Sequence, residues 1–291
     1  MKRCRRFGPD RNFRNISAWL VVLALWLAVG YPAGAQPEAL PARGWNQHNI
    51  AMIETNAREP LTFAVMGDNR DGDAIFARLL QQMQADPEIQ FAIDIGDLVP
   101  RGELHHYQAF FELLKGAFTK PFLGVVGNHE LYRDPEGQLF QAIFGPRSYA
   151  FRVKGHAFIM VDDCHKGGIS EAQERWLAQE LEKARDCATR LVFLHIPLFD
   201  PSPGKSHLAL PEGQGQRLAA LFKRHRVTHI FTGDIHAYYT GHWDGTPYTI
   251  TGGAGAPMKF DDAQHYFFHY LKVTLVQGRV QIQVQRLAPA P

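Results

Sequence analysis

Residues 122–130 read FLGVVGNHE, an apolar run that ends at Gly127 and is followed at once by Asn128, His129 and Glu130. Three other segments have the same form: LTFAVMGD at residues 61–68, FAIDIGD at 91–97 and VTHIFTGDIH at 227–236. In each, a glycine lets the chain turn tightly as it leaves a strand, next to an acid, amide or imidazole side chain. One Gly-Asp pair alone is a common turn former, but the four segments together predict a single metal-binding cluster.

Helical patterns follow the first two of these runs. Apolar residues recur at helical spacing through Ile75–Met83 and through Tyr107–Leu114. Strands that alternate with helices indicate a mainly parallel sheet, whose functional side chains gather at the carboxyl ends of its strands. Tyr149–Val153 and Ala157–Val161 are typical of a hairpin, which adds antiparallel strands.

The second half of the chain continues this pattern. Ser170 and Gln173 form a capping-box sequence and predict a helix that ends before Thr189. Residues 190–194, RLVFL, predict a strand that delivers His195 at its carboxyl end. Alternating runs on either side of Gly278 predict a closing hairpin.

With His195 added, the four segments resemble the calcineurin-like metallophosphoesterases, the superfamily of purple acid phosphatases and alkaline phosphodiesterases. The resemblance runs from about Leu61 to the 250s, and Gly-Asn-His-Glu is its most specific part. It implies an α/β domain over residues 60–288, a four-layer α-β-β-α sandwich of mixed sheets with helices on the outside. It also implies hydrolysis of phosphomonoesters or phosphodiesters by attack of a metal-bound hydroxide.

The resemblance implies a centre of two divalent or trivalent ions, drawn from Mn, Fe, Zn and Co because the ligands combine oxygen and imidazole donors. Asp97 is the expected bridging ligand. The first ion would also take Asp68 and His236, and the second would take the remaining three ligands, Asn128, His195 and Asp234.

By the same resemblance, His129 is the expected general acid, and Asn128 and His129 are expected to contact the phosphate. An imidazole with an ordinary pKa of about 6.5 can do this work at neutral pH. Glu130, the next residue, could hold the His129 ring in place.

Two positions depart from the common family pattern. Many members have a metal-binding histidine where this chain has Arg70, and arginine has no lone pair for a metal. Arg70 could instead bind a phosphate oxygen, or it could pair with Asp71 or Asp73. Asp234 replaces the first histidine of Gly-His-x-His, and its carboxylate can still bind a metal.

These departures leave a second functional class open, a non-catalytic metal-binding or scaffold domain with one weakened metal site. His165 and His207 lie on loops where they could face the substrate, and the role of Asn69 is undecided. The expected substrate is a small phosphate ester, and the sequence does not indicate an oligomeric state.

The N-terminus has the form of a signal peptide. Six Lys and Arg residues precede the apolar run 16–29, and Ala33-Gly34-Ala35 follows it, which suits cleavage before Gln36. The run is shorter than the roughly 20 residues of a membrane span, so residues 1–35 predict an exported protein, periplasmic or secreted. An uncleaved leader would be the one route to a membrane. Residues 36–59 have no clear period and are interpreted as a linker or an N-terminal arm.

The charge of the chain depends on this leader. Residues 1–35 contribute +5 to a net charge of +2, which leaves −3 for the rest, so no nucleic-acid binding is implied.

Cys164 and Cys187 remain after removal of the leader. In an oxidising compartment they could form a disulfide or stay as two buried thiols.

Overall fold

A computed structural model describes residues 39–165, 167–202 and 209–287. The leader over residues 1–35, its cleavage before Gln36, Cys4 and His207 lie outside the described residues. The helices in the described part are α1 Trp45–Asn56, α2 Asp73–Ala85, α3 Leu104–Ala117, α4 Gln138–Phe144, α5 Glu171–Lys183 and α6 Glu212–Arg224. The strands are β1 Leu61–Met66, β2 Ala92–Asp94, β3 Phe122–Gly124, β4 Tyr149–Val153, β5 His156–Met160, β6 Thr189–Phe193, β7 His229–Thr232, β8 Tyr238–Trp243, β9 Thr246–Thr251, β10 His269–Val276 and β11 Arg279–Arg286.

The strands form two mixed sheets. The first has the order β11-β10-β1-β2-β3, in which β1, β2 and β3 are parallel and β10 is antiparallel to both of its neighbours. The second has the order β4-β5-β6-β7-β9-β8, with β5, β6, β7 and β9 parallel and the two outer strands antiparallel. The chain thus distributes its parallel strands over two sheets rather than one.

The side chains of each sheet alternate between two apolar cores. In β1, Phe63 and Val65 pack in the core between the sheets, where they meet Phe158 and Phe193 of the second sheet. The alternate residues Ala64 and Met66 pack against the helices outside the first sheet. Both faces of each sheet are therefore covered, as expected for parallel strands. Helices α5 and α6 cover the second sheet in the same way, so the four-layer α-β-β-α prediction is confirmed.

Several local predictions hold closely. Strand β1 has the predicted bounds, and α5 begins after a complete capping box between Ser170 and Gln173. Strands β10 and β11 form the closing hairpin through Gly278. Within α5, Leu177 and Leu181 are buried and Trp176 is partly buried.

The first helix is the main difference from the sequence analysis, which expected a linker or arm over residues 36–59 and regular structure from Leu61. Helix α1 lies along β3, the edge strand of the first sheet. The Asn46 side chain donates to the Gly124 carbonyl and accepts from the Gly124 N–H, both at 2.9 Å. Asn49 Oδ1 accepts from the Phe122 N–H at 3.1 Å. The buried face of α1 therefore combines Ile53 with two asparagines, which explains the absence of an apolar period.

The compact unit that contains both sheets begins at Leu40. Within it, Cys164 and Cys187 are free thiols, so the structure favours the second of the two alternatives for these residues. Each helix of the described part is too short or too polar to cross a membrane.

Candidate metal centre

Three aspartates at the carboxyl ends of strands have left-handed backbones. The φ angles are 62° at Asp68, 59° at Asp97 and 62° at Asp234, and each residue follows a glycine. Aspartate tolerates this region better than most residues, but the conformation is uncommon and tends to occur at functional sites. Asp68 and Asp97 are almost completely buried there.

The glycines before the ligands are required by close packing. A Cβ atom on Gly127 would lie 2.2 Å from the Asp97 backbone nitrogen. A Cβ atom on Gly96 would lie 2.6 Å from Nδ1 of His195, and its φ of 110° also favours glycine. These positions allow the loops of the two sheets to approach each other.

The loops bring all six predicted ligands into one cluster. Nε2 of His195 lies 3.3 Å from Asp97 Oδ1, 3.0 Å from Asn128 Oδ1 and 3.8 Å from Asp234 Oδ1. One ligand atom each from Asp68, Asp97 and His195 lies within 4.8 Å of the others. Nε2 of His236 is 3.6 Å from Asp68 Oδ1, and the Asp234 N–H donates to Asp68 Oδ2 at 3.0 Å.

Backbone carbonyls orient the two predicted histidine ligands. Nδ1 of His195 donates to the Ile95 carbonyl at 2.9 Å, and Nδ1 of His236 donates to the Pro257 carbonyl at 2.8 Å. In both rings Nε2 then faces the carboxylates. A hydrogen bond from the far ring nitrogen to a carbonyl is the usual way in which a protein orients a metal-binding histidine.

The electrostatics of the cluster favour a bound cation. Burial raises the pKa of Asp68 well above its usual range and raises that of Asp234 to about 6. Burial lowers the pKa of His195, but Asp97, Asp68 and Asp234 reverse this effect and raise it to about 10. Asp68 Oδ1 is buried without a hydrogen-bond partner. Positive charge would stabilise these carboxylates, and their oxygen atoms combined with imidazole nitrogen suit first-row transition metals.

Two further buried carboxylates support the loops, and the sequence analysis assigned neither this task. Glu130 accepts from the backbone N–H groups of Asp97, Val99 and Gly127 at 2.9, 3.0 and 2.6 Å. Asp163 accepts from the N–H groups of His195 at 3.1 Å and Ile196 at 2.9 Å. Burial, with the Asp97 charge, raises the pKa of Glu130 to about 7, and burial raises that of Asp163 to about 7.

His129 lies at the open side of the cluster, with a quarter of its side chain exposed. Its Nδ1 donates to the Pro100 carbonyl at 2.6 Å, and its Nε2 lies 3.8 Å from Asp97 Oδ2. The prediction that Glu130 could orient this ring is wrong, because the Glu130 carboxylate is committed to backbone N–H groups and the Pro100 carbonyl takes that place.

Arg70 lies against the predicted bridging ligand. Its Nε donates to Asp97 Oδ2 at 3.1 Å, and its Nη1 donates to Asp71 Oδ2 at 2.7 Å. The expected pairing with Asp71 is therefore present, and the contact with Asp97 is an addition. Asn69 donates to the Leu98 carbonyl at 3.0 Å, which ties the first loop to the second.

His165 does not join the cluster in the described contacts. Its Nε2 lies 2.7 Å from Arg147 Nη2 and 3.3 Å from Asp162 Oδ2. For Asp163, the available sequence signal was its position two residues after the apolar run that ends at Val161, just as Asp68 lies two residues after Met66. What the sequence could not show is that the strand before Asp163 lies beside the strand before His195.

Comparison with protein-family models matches residues 61–238, more than half of the chain, to the family described as calcineurin-like phosphoesterase. The serine/threonine-protein phosphatase CPPED1 of Rattus norvegicus is 28% identical over 54% of this chain and 52% of its own. The probable cyclic nucleotide phosphodiesterase RPA0124 of Rhodopseudomonas palustris is 27% identical over 60% of this chain and 67% of its own. The match thus spans about half the length of the first of these relatives.

Solved structures show the same fold at low identity. Purple acid phosphatase PPD1 of yellow lupin has a TM-score of 0.61 at 15% identity, over 77% of this chain and 51% of its own. GAP50 of Plasmodium, described as the anchor in the inner membrane complex, has a TM-score of 0.54 at 16% identity. The match covers 79% of this chain and 89% of GAP50. Together with the residues matched and the cluster of candidate ligands, these comparisons show that the chain belongs to the calcineurin-like phosphoesterase family.

Proposed function

We propose that this protein is an exported, metal-dependent phosphoesterase. The observation that carries the proposal is the buried cluster of Asp68, Asp97 and His195, in which the Oδ1 atom of Asp68 has no hydrogen-bond partner among the described residues. Asp97 would bridge two ions of Mn, Fe, Zn or Co. Asp68 and His236 would complete one set of ligands, and Asn128, His195 and Asp234 would complete the other.

The residues of the chain have separate tasks in this proposal. Bound ions supply Lewis acidity toward the phosphoryl oxygens and lower the pKa of a water molecule. His129, with Nδ1 donating to the Pro100 carbonyl, presents Nε2 to the open side of the cluster, where it donates a proton to the departing ester oxygen. Asn128 contacts the phosphoryl group beside it, and Arg70 binds a phosphoryl oxygen through the guanidinium nitrogens that do not contact Asp97.

The first experiment is to measure metal content together with hydrolysis of p-nitrophenyl phosphate and bis-p-nitrophenyl phosphate, after loading with each of the four metals. Turnover with about two ions per chain supports the proposal, and the preferred ester assigns the protein to monoesterases or diesterases. The names of the relatives include both a protein phosphatase and a probable cyclic nucleotide phosphodiesterase, so both esters belong in the assay.

The role of His129 has its own test. His129→Ala should keep the metal content of the parent, because the ring is not a proposed ligand and alanine keeps the backbone N–H that donates to Asp97. The variant should lose most turnover of an alkyl ester. An acid matters least for a good leaving group, so p-nitrophenyl phosphate should lose less. Equal turnover by parent and variant on the alkyl ester would remove His129 from the mechanism.

The contact between Arg70 and Asp97 supports a second candidate function, that of a non-catalytic metal-binding or scaffold domain. A guanidinium at 3.1 Å from the bridging candidate supplies positive charge where an ion would otherwise do so. The protein GAP50, which is described as an anchor, has the same fold. One ion per chain without turnover of either ester would favour this function over hydrolysis.

Export rests on the order of charged, apolar and small residues in the first 35 positions. Expression of the full chain with its leader should yield a mature N-terminus at Gln36 outside the cytoplasm. Recovery of the uncleaved chain in the membrane fraction would instead support an N-terminal anchor.

A further inference from the structure

Two exposed aromatic side chains lie on loops of the metal centre. Within the described residues, the exposed large hydrophobic side chains are Met52, Tyr132 and Phe260, with 36%, 62% and 48% of their surface exposed. Exposure of an aromatic ring forgoes the stabilisation that burial of a large apolar side chain provides. Met52 belongs to α1. Tyr132 lies three residues after His129, and Phe260 lies on the loop whose Pro257 carbonyl contacts His236.

Tyr132 is held next to the proposed general acid. Its backbone N–H donates to the His129 carbonyl at 3.3 Å. The two rings are nearly parallel, with an angle of 15° and a centroid separation of 6.4 Å. The Arg133 guanidinium lies 5.4 Å from the Tyr132 ring, and the Arg133 N–H donates to the Arg101 carbonyl at 3.1 Å. Tyr132 is therefore fixed in position although it is exposed.

Phe260 has a matching place on the other loop. It follows Pro257, whose carbonyl accepts from His236, by three residues, just as Tyr132 follows His129 by three. Its ring packs edge-on against Tyr266 at a centroid distance of 5.2 Å and an angle of 68°. The Ala256 N–H of the same loop donates to the Asp68 carbonyl at 2.7 Å. Phe260 is thus anchored on a loop that begins beside His236 and Asp68 of the cluster.

We propose that Tyr132 and Phe260 are specificity residues that stack on a planar aromatic ring in the organic part of the phosphate ester, so that nucleoside or aryl esters are preferred. This inference rests on the proposed phosphoesterase function. Stacking on an aromatic side chain stabilises a bound ring and accepts every ring with a flat face, whereas a sugar or an alkyl chain gains much less from it. Rings held in position also lose little conformational entropy on binding.

Two matched pairs of esters test the inference on the metal-loaded protein. Adenosine 5′-monophosphate and ribose 5-phosphate share a 5′-alkoxide leaving group, and benzyl phosphate and cyclohexylmethyl phosphate are both esters of primary alcohols. We expect the aromatic member of at least one pair to have a kcat/KM about tenfold higher. A preference confined to the first pair identifies a nucleoside, and one confined to the second identifies an aryl group.

The variants assign the preference to the two residues. Tyr132→Ala and Phe260→Ala should each reduce the ratio within the preferred pair about threefold or more, while Tyr132→Phe should retain it because the ring remains. Met52→Ala is the matched control for an exposed apolar residue on α1 and should leave the ratio unchanged.

The inference and the proposed function fail in different ways. Equal kcat/KM within both pairs, or an unchanged ratio in both alanine variants, overturns the inference and leaves the phosphoesterase in place. If none of the esters is hydrolysed, the proposed function fails for monoesters, and calorimetric binding of the same four compounds still decides the inference. Equal affinity within each pair would then overturn it.

Discussion

The two sheets contribute differently to the metal centre. The loops of the first sheet supply Asp68, Asp97 and Asn128, while those of the second supply His195, Asp234 and His236. The first half is thus acidic and has two of its ligands on left-handed backbone, and the second half contains both imidazole ligands. A buried carboxylate supports each half. The first half therefore depends more on its surroundings, because nearby negative charges repel each other without a cation.

Asp97→Ala should have the largest effect on the metal centre, because Asp97 of the first half contacts His195 of the second. Its Oδ1 accepts from the His129 N–H at 2.9 Å and lies 3.3 Å from His195, and its Oδ2 binds Arg70. We expect loss of both ions and a fall in kcat/KM of at least about a thousandfold. Metal analysis and ester hydrolysis measure these losses. Asp186→Ala, on the surface, is the control, and two ions retained in Asp97→Ala would contradict the bridging role.

The supporting carboxylates allow the two halves to be weakened separately. Glu130→Gln places an amide among three backbone donors from two loops, and Asp163→Asn does so among two donors from one loop. We expect Glu130→Gln to lower metal affinity by about 10–100-fold and Asp163→Asn to lower it less. Metal titration, with thermal unfolding to verify the fold, gives both values. The reverse order would show that the imidazole half is the more dependent one.

Arg70→Ala tests the acidic half on its substrate side. The guanidinium lies against Asp97 and Asp71 and neighbours the place proposed for the phosphoryl group. Its removal should raise KM about tenfold and leave metal content unchanged, because arginine supplies no ligand. Arg70→Lys keeps the charge and should recover part of the loss. An unchanged KM would assign Arg70 to the ion pairs alone.

His229→Asn should have the smallest effect, on the pH dependence of stability in the second sheet. Burial lowers the pKa of His229 to about 3, and its ring lies 2.9 Å from the Thr249 hydroxyl. The unfolded chain takes up this proton near pH 6.5, so the stabilisation is complete above that pH and is lost as the pH falls toward 3. The loss between pH 7 and pH 5 is about 2 kcal/mol.

Chemical unfolding at the two pH values, on protein treated with a chelator, measures the His229 contribution. The asparagine variant should lose about 2 kcal/mol less of its unfolding free energy than the parent between pH 7 and pH 5. His48→Asn, on the exposed side of α1, is the control. Equal losses in the parent and in His229→Asn would show that other groups determine the acid sensitivity of this sheet.

Local patterns in the sequence predicted most of the framework. Strand β1 and the capping box at Ser170 depend on neighbouring residues, so their periodicity and spacing were sufficient. The candidate ligands followed from a repeated local form, a glycine and a polar side chain after an apolar run. Their grouping at the carboxyl ends of strands followed from the alternation of strands and helices, whereas the four-layer arrangement with two sheets came only from the family resemblance.

The features that were missed depend on neighbours distant in sequence. Glu130 binds the N–H groups of Asp97 and Val99, more than thirty positions earlier, and Asp163 binds that of His195, thirty-two positions later. Pro100 rather than the adjacent Glu130 orients His129. Helix α1 was missed because its inward face consists partly of amides that bond to a strand edge, and such a face has no apolar period.

The asparagine face of α1 also determines where the chain can be cut. Strand β3 has β2 on one side and the Asn46 and Asn49 amides on the other, and its free backbone groups would otherwise resemble an open strand edge. A recombinant fragment that starts at residue 61, where the family match begins, would lack this cover. Such a fragment should self-associate through β3 and lose solubility, whereas one that starts at Leu40 should stay monodisperse or keep whatever assembly the whole chain has.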